Sequence, residues 1–336
     1  MNTTATDRLA IGSLAQSVFE AETFAAVAAA VRAGLGRGRK RLPPWLLYDE
    51  RGSALFEEIT LLPEYYLTRT ERAILAEHAA AMIEAAGPPL EIVELGAGSA
   101  AKTRPLLEAL LAQQPRATYV PVDVSPAALR AAAAQLRGFR RLRVRPVVAR
   151  YPDELGFERG GSRRLVLFLG SSIGNYDPPA ARALLAQVRR HLAPGDALLI
   201  GTDLTKPQRL LLPAYDDAAG VTARFNKNVL ARINRELRGT FALDRFRHVV
   251  RWNAAASRME LYLESVAAQR VVVGALGVEV GFAEGERIHT ESSHKFTTTG
   301  VRRLLAQAGF RAEASWYDER RWFAVHLARV PAGRRR

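Results

Sequence analysis

The sequence predicts an α/β protein: a doubly wound core of mostly parallel strands, finished by an antiparallel C-terminal hairpin and joined to a discontinuous α+β lobe. Three observations predict it. Apolar runs of four to six residues alternate with helical stretches between about 90 and 205, as strands buried on both faces do. The alternation stops after Leu204 and gives way to helices and amphipathic strands. One helix and two closely spaced strands then end the chain.

The elements follow in order. An Ala-rich helical stretch, Ala15 to Ala33, leads through a Gly/Arg loop to LPPWLLYDERG and a helix from Ser53 through Ile59. After LLPEYYLTRTE a long helix, Glu71 to Ala86, is stopped by Gly87-Pro88-Pro89. EIVELGAG (strand), Lys102 to Gln113 (helix), TYVPVDVS (strand), Pro126 to Leu136 (helix) and RVRPVVAR (strand) come next. LVLFLGSS is a further strand, Pro178 to His191 a helix and ALLIGTDL a strand. Asn226 to Arg238 is helical, and HVVRWN, RMELYLES and QRVVVGAL are strands. Gly300 to Ala308 is the last helix, before the strands RAEASWYD and RWFAVHLARV. The simplest assembly is a core of 70–205 plus 295–330, a lobe of 15–69 plus 206–294, and a basic tail, 331–336. In such a sheet a ligand binds at the carboxyl ends of the strands.

Composition narrows the function classes. The chain has 336 residues, 48% of them hydrophobic, enough for two cores. Cysteine is absent, which excludes disulfides, thiolate metal sites and cysteine nucleophiles. The N-terminus lacks a basic stretch before an apolar run, and no segment reaches 18 apolar residues, so a soluble cytoplasmic protein with no membrane partner is expected. The formal charge of +14 is carried almost wholly by arginine, with lysine only at 40, 102, 206, 227 and 295. These charges are scattered along Ala-rich helices, apart from GRGRKR (36–41) and GRRR (333–336). A solvated basic surface or an anionic cofactor accounts for them, and a nucleic-acid substrate is not expected.

The stretch ELGAGSAAKT decides the cofactor. Gly96 to Thr103 falls short of a triphosphate loop, because Ala101 stands where the second glycine belongs. Gly96, Gly98 and Ala101 satisfy the relaxed dinucleotide fingerprint, and Asp123, 27 residues after Gly96, could hold a ribose. Glu94 separates the readings. An acid at the end of the first strand repels a pyrophosphate and attracts a sulfonium and an ammonium. Asp123 then accepts from both ribose hydroxyls, and the terminal hairpin is usual for methyltransferases. S-adenosylmethionine is the expected cofactor. Asp177-Pro178-Pro179 lacks the following aromatic of a nucleobase-amine methyltransferase and reads as a helix start.

Several stretches in order, YDERGSALFEEIT, LPEYY, TRTE, ELGAGSAAKT, FLGSSIGN, GTDL, AYDDAAGVTARFN and TESSHKF, extend the reading from Leu42 to Val325. With them the chain resembles the bacterial histidine Nα-methyltransferases of ergothioneine biosynthesis. The resemblance implies a Rossmann-like class I methyltransferase core with a substrate-binding lobe. It also implies three methylations of the α-amine of free L-histidine, giving hercynine, by a protein that needs no partner chain, so a monomer is expected. In it Tyr215 matches a tyrosine that binds the substrate carboxylate, and Asn175 an asparagine at the amino-acid end near the transferred methyl. Tyr48 matches a tyrosine by the amine or ring. One of Tyr65 and Tyr66 lines the cofactor or a lid, and the sequence does not choose between them. Lys102 sits in the cofactor loop.

Glu291 and Ser293 can be argued without the resemblance. In a strand they project from one face. A carboxylate accepts from one imidazole N–H while a hydroxyl can pair with the other nitrogen in either protonation state, so the two read both ends of a histidine ring. The bland alternative is an exposed Glu and Ser at a strand start. Methyl transfer from a sulfonium needs no metal, and the chain shows no metal-binding motif. The nucleophile is the neutral amine, oriented by Asn175 and Tyr48, the two expected catalytic groups. Two departures bear on specificity. Arg150 stands where the family often has an acid near the adenine, leaving Tyr151 to stack on it. Leu261 occupies a ring-pocket position where histidine-specific members often carry methionine. The rivals are an N-methyltransferase of the same fold acting on tryptophan or an aromatic amine, and a non-catalytic cofactor-binding protein. His294 and His191 are expected to be structural.

Overall fold

A computed structural model describes residues 23–36, 38–149 and 163–332. After a helix over residues 23–35 (α1) come α2 (Glu50–Leu61), α3 (Tyr66–Ala86), β1 (Leu90–Leu95), α4 (Arg104–Gln113), β2 (Ala117–Asp123) and α5 (Pro126–Gln135). The short β3 (Leu142–Val144) and β4 (Val147–Val148) precede β5 (Arg163–Phe168), α6 (Pro178–Arg190), β6 (Ala197–Asp203) and α7 (Gln208–Leu211). Then follow α8 (Val221–Leu237), β7 (Phe246–Asn253), β8 (Arg258–Ser265), β9 (Gln269–Val273), β10 (Val278–Phe282), β11 (Arg287–His294), α9 (Thr298–Gln307), β12 (Arg311–Tyr317) and β13 (Phe323–Arg329). The single strand expected over RVRPVVAR is thus two short ones. Pro146 interrupts the pairing with β2 between them, because proline has no N–H to give a ladder.

These elements group into two compact units. The larger comprises the described parts of Tyr48–Thr222, Val250–Glu260 and Ser292–Arg336. The smaller comprises residues 23–47, Ala223–Val249 and Leu261–Glu291. Residues 48–69, 206–222, 250–260 and 292–294, placed by the sequence reading in the second lobe, group with the larger unit.

The larger unit is built on an eight-stranded sheet of order β12-β13-β6-β5-β1-β2-β3, with β4 also on β2. β1 pairs in parallel with both β2 and β5, and β5 with β6, while β13 runs antiparallel to β6 and to β12. The inner strands β1 and β6 are buried along their whole length. That explains their unbroken apolar sequence. Val93, Val166, Leu198 and Ile200 pack under Leu184, Leu185 and Val188 of α6 and Val301 and Leu305 of α9. Successive strands step from β1 to β2 and then return to β5 on the other side of β1. The switch point lies between β1 and β5, where an open sheet binds its ligand. α6 begins at Asp177, whose side chain accepts from Ala180 N at 2.9 Å, so Asp177-Pro178-Pro179 is a helix cap.

In the smaller unit Phe241, Phe246 and Phe282 form a ring cluster with centroids 5.2–6.2 Å apart. The segment before α2 is tied down where Leu42 N donates to His289 O at 2.8 Å and Arg232 Nη1 to Leu46 O at 3.2 Å. β9 and β10 make an antiparallel hairpin, and β11, β8 and β7 lie in that order in a three-stranded sheet. Among the described residues no helix is long and apolar enough to cross a membrane.

Candidate active site

The loop after β1 is shaped by its backbone. Gly96 and Gly98 hold φ of 68° and 54°, values that strain any residue with a Cβ. A Cβ on Gly98 would meet nothing within 4 Å, so the loop opens onto space there. Gly98 N donates to Asp123 Oδ2 at 3.0 Å and Ser125 N to Oδ1 at 2.9 Å, which fixes the carboxylate at the end of β2. Burial raises the pKa of Asp123, against the pull of these N–H groups.

Glu94, next to last in β1, is 2% exposed. Its Oε2 accepts from Thr103 Oγ1 and Tyr119 OH, each at 2.5 Å. Burial pushes its carboxyl up to about 7, while the two hydroxyls and the Lys102 charge pull it down. Lys102 Nζ donates to Glu71 Oε2 at 2.8 Å. The buried Glu71 also takes Gly170 N, at 2.7 and 2.9 Å to its two oxygens. A Cβ on Gly201 of β6 would stand 2.0 Å from Glu71 Oε1, so this glycine makes room for the carboxylate.

These residues can be tested against the cofactor read from the sequence. The loop's lysine is already neutralised, leaving Glu94 and Asp123 as the dominant charges. That environment disfavours a pyrophosphate and favours a nucleoside bearing a cation. Asp123 retains acceptor capacity for hydroxyls, since each oxygen has more than one lone pair. The open space at Gly98 admits a close backbone approach. The residues present fit S-adenosylmethionine.

After β5, Gly170 (φ 77°) and Ser171 (φ 58°) turn the chain into a 3-10 turn, Ser172–Asn175. Ser171 Oγ accepts from Asp203 N at 2.9 Å and ties the turn to β6. A Cβ on Gly174 would lie 2.9 Å from the His294 carbonyl oxygen, so glycine is needed for this approach. The half-buried Asn175 comes next. The His294 ring is buried, and burial lowers its pKa. Its Nε2 has no hydrogen-bond partner among the described residues.

β6 ends in a buried ionic cluster. Lys206 Nζ donates to Asp203 Oδ1 at 2.5 Å and to Tyr66 OH at 2.8 Å, and Tyr66 OH donates to Asp203 Oδ2 at 2.8 Å. Lys295 Nζ stands 2.8 Å from Asp203 Oδ2 and donates to Tyr215 OH at 2.6 Å and Ser293 Oγ at 2.8 Å. The Tyr215 and Ser293 oxygens are 2.8 Å apart. Asp203 is fully buried, and Lys206 and Lys295 are 8% and 4% exposed. One aspartate thus faces two lysines, with the Asp318 charge also acting on Lys206. Burial lowers the pKa of Lys206 while Asp203 opposes it. Burial and then the Asp203 charge lift the Tyr66 hydroxyl above its ordinary range, which keeps it a donor. Phe296 N donates to Asp203 O and Thr205 N to Phe296 O, both at 2.9 Å, and these bonds hold Lys295 and Phe296 beside the end of β6.

A chain of edge-to-face rings, Tyr48–Phe56–Tyr65–Tyr215, leads to this cluster, with centroids 5.6, 6.1 and 6.5 Å apart. Contact by contact, Tyr48, Tyr65, Tyr66, Tyr215 and Ser293 therefore share one neighbourhood, with Tyr66 in its ionic base. Leu261 and Glu291 belong to the smaller unit, 1% and 8% exposed; the carbonyl of Leu261 accepts from Thr290 Oγ1 at 3.1 Å. Neither Glu291 nor Ser293 is an exposed residue at a strand start: both are buried in the second half of β11. Tyr151 and Arg150 lie outside the described residues.

Sequence reading missed Glu71, Asp203, Lys206 and Lys295. A signal was present in the scarcity of lysine, five among 48 basic residues. Where arginine is the default cation, a lysine marks a place that needs a compact point charge. Lys102, Lys206 and Lys295 each meet a buried carboxylate.

Comparison with known proteins agrees with this chemistry. The chain is 46% identical over 299 residues to the histidine N-alpha-methyltransferase of Mycolicibacterium smegmatis, covering 89% of this chain and 93% of that one. With the protein of the same name from Mycobacterium tuberculosis it shares 44% over 299 residues, again 89% and 93% of the two chains. Ergothioneine biosynthesis protein 1 of Neurospora crassa is 31% identical over 286 residues, which cover 83% of this chain and 32% of that protein. Residues 27–330 match the family described as histidine-specific methyltransferase, SAM-dependent. The chain belongs to that family of histidine-specific, S-adenosylmethionine-dependent methyltransferases.

Proposed function

We propose that this enzyme transfers three methyl groups from S-adenosylmethionine to the α-amine of free L-histidine, giving hercynine for ergothioneine biosynthesis. One observation carries the reading. Within a single unit an acid-lined glycine loop, its lysine neutralised by Glu71, accompanies a buried cluster of two lysines and an aspartate under Tyr215 and Ser293. The first suits a cationic cofactor and the second the anionic end of an amino acid.

In this reading Glu94, Gly96, Gly98 and Asp123 hold the cofactor, with Tyr151 against its adenine. Lys102 acts through its pair with Glu71. When bound, S-adenosylmethionine supplies a methyl group activated by its sulfonium. Tyr215 donates to the substrate carboxylate. Glu291 and Ser293, two residues apart on β11, take the ring nitrogens, and Leu261 packs against the ring. Tyr65 lines the site through its contact with Tyr215, and Tyr66 braces it from below. Asn175 and Tyr48 orient the lone pair of the neutral amine. A hydroxyl and an amide hold the amine less firmly than a carboxylate would, which suits a nitrogen that loses a hydrogen at each round. Exclusion of water and alignment supply the acceleration. We place the enzyme in the cytoplasm as a monomer, without a nucleic-acid partner, consistent with the scattered arginines.

The test is incubation of the purified protein with S-adenosylmethionine and the twenty amino acids, followed by mass spectrometry. Histidine alone should gain three methyls. Methylation of tryptophan or another amino acid in its place overturns the substrate assignment and points to Leu261. Absence of any methylated product overturns the activity, and direct cofactor binding then tests the loop. Asn175→Ala should lower kcat by at least tenfold; unchanged turnover removes Asn175 from the mechanism.

A further inference from the structure

Glu71 closes the TRTE stretch and touches neither ligand in the reading above, yet the fold makes unusual provision for it. It lies on α3 and is fully buried. Its carboxylate accepts from Gly170 N at 2.7 and 2.9 Å and from Lys102 Nζ at 2.8 Å. Two glycines give this pair room. A Cβ on Gly201 would stand 2.0 Å from Glu71 Oε1, and a Cβ on Gly170 3.1 Å from Lys102 Nζ. A buried carboxylate is costly unless a cation and hydrogen bonds compensate it, and here both do. Among the described residues Lys102 has this one ion pair. Glu71, Lys102, Gly170 and Gly201, like Glu94 and Asp123, belong to the larger unit.

Lys102 is the lysine of the cofactor loop, and an unpaired ammonium there opposes a sulfonium. S-adenosylmethionine and the S-adenosylhomocysteine left after transfer share their adenosine and their amino-acid end. They differ in one methyl group and in charge, a sulfonium against a neutral sulfide. We propose that Glu71 is a positioning residue that acts through Lys102: by cancelling the lysine's charge it lets the loop prefer the charged cofactor to the neutral product. The proposal rests on the reading above in placing the cofactor at the loop after β1, and is independent of which amino acid is methylated. An unpaired Lys102 would repel the cofactor while leaving its neutral product unaffected, so spent cofactor would compete better for the site. Glu94 and Asp123 remain acidic in either case, so the preference would weaken without reversing. Glu94 is coupled to the same pair. Burial raises its carboxyl to about 7, Thr103, Tyr119 and Lys102 pull it down, and Glu71 pushes it up. Without Glu71, Glu94 ionises at a lower pH, which partly compensates below about pH 7 and cannot do so well above it.

The test is a binding measurement and needs no turnover. Calorimetry would give the affinities of S-adenosylmethionine and of S-adenosylhomocysteine for the full-length protein and for Glu71→Gln, at about pH 8.5. Glutamine keeps the shape of the side chain and an acceptor for Gly170 N. The ratio of the two affinities, charged form over neutral form, should fall about tenfold in the variant. Damage to the scaffold would lower both affinities together and leave the ratio alone. In the double variant Lys102→Met/Glu71→Gln both charges are gone, and the ratio should match that of the unaltered protein. Any contact of Lys102 with the parts the two ligands share cancels in that ratio. The pH at which S-adenosylmethionine affinity levels off should also be lower in Glu71→Gln, because Glu94 then ionises earlier. An unchanged ratio in Glu71→Gln overturns the proposal. So does a double variant whose ratio departs from the unaltered value, and that comparison stands even where the single variant does not fold. Failure of the unaltered protein to bind either form overturns the cofactor placement, and this proposal with it. Methylation of an amino acid other than histidine overturns the substrate reading alone.

Discussion

The two ends of the proposed site are built from opposite materials. At the carboxyl ends of β1 and β2 the backbone does the shaping, through left-handed glycines and N–H groups that hold an acidic side chain. At the end of β6, side chains do it, through two buried lysines, one aspartate and three hydroxyls that bond to one another. Acidic side chains dominate the first end, and lysines paired with an aspartate mark the second. The contrast teaches that a loop can hold an acid in place through its backbone, whereas buried lysines need side-chain partners that share their charge.

Breaking the side-chain end should have the largest effect. Asp203→Ala leaves two lysines buried without their counter-charge and should cost about 3–5 kcal/mol of stability, read by urea denaturation; a loss under about 1 kcal/mol would mean that the lysines shed their protons or reach water.

Acid should act elsewhere in the sheet. His326 is fully buried between Thr202 and Ser315, and burial lowers its pKa from 6.5 to about 4. Stability is therefore full above pH 6.5 and falls as pH drops toward about 4, because the unfolded chain takes up the proton first. The loss is at most about 3 kcal/mol, and His326→Gln should flatten that part of the profile in denaturation experiments. This window sets the lower limit of pH for the binding measurements.

The backbone end should show itself in affinity. Asp123→Ala should weaken S-adenosylmethionine binding by about 1.5–3 kcal/mol, the value of hydrogen bonds to a charged acceptor, while leaving stability nearly unchanged; calorimetry reads the first and denaturation the second. A stability loss larger than the affinity loss would erase the contrast between the two ends. A smaller effect should come from Glu94. Burial holds its carboxyl at about 7, and a cation bound beside it favours the ionised form. Cofactor binding then releases a proton below that pH, so affinity should rise with pH toward 7, by up to about tenfold per unit, and level off above it. Glu94→Gln should remove the slope.

The two ends also differ in how plainly the sequence announces them. Gly96, Gly98, Glu94 and Asp123 lie at fixed offsets around one strand-turn-helix unit, because a single loop must make the turn and carry the acid. The alternation of apolar runs likewise marks β1, β2, β5 and β6, since each is buried on both faces. Asp203, Lys206 and Lys295 come from the end of one strand and from a segment nearly a hundred residues later, brought together where Leu204 bridges Phe296. No local spacing encodes that meeting. Glu71 is hidden for a related reason: a glutamate in an Ala-rich helix reads as solvent-facing, and only the backbone of Gly170 and the missing side chain of Gly201 show that it points inward. The start of α3 at Tyr66, five residues before the expected Glu71, follows from the burial of Tyr66 and Leu67.

Gly201 has a consequence for anyone wishing to stabilise this enzyme. Replacing strand glycines by alanine is a routine way to stiffen a chain, and β6 offers an inviting target. Here the added methyl would occupy the place of the Glu71 carboxylate. Lys102 would lose its partner, and the negative charge that dominates the cofactor end would be partly offset by a freed lysine. A hardening strategy aimed at the sheet would thus weaken, without intending to, the preference of the loop for a sulfonium.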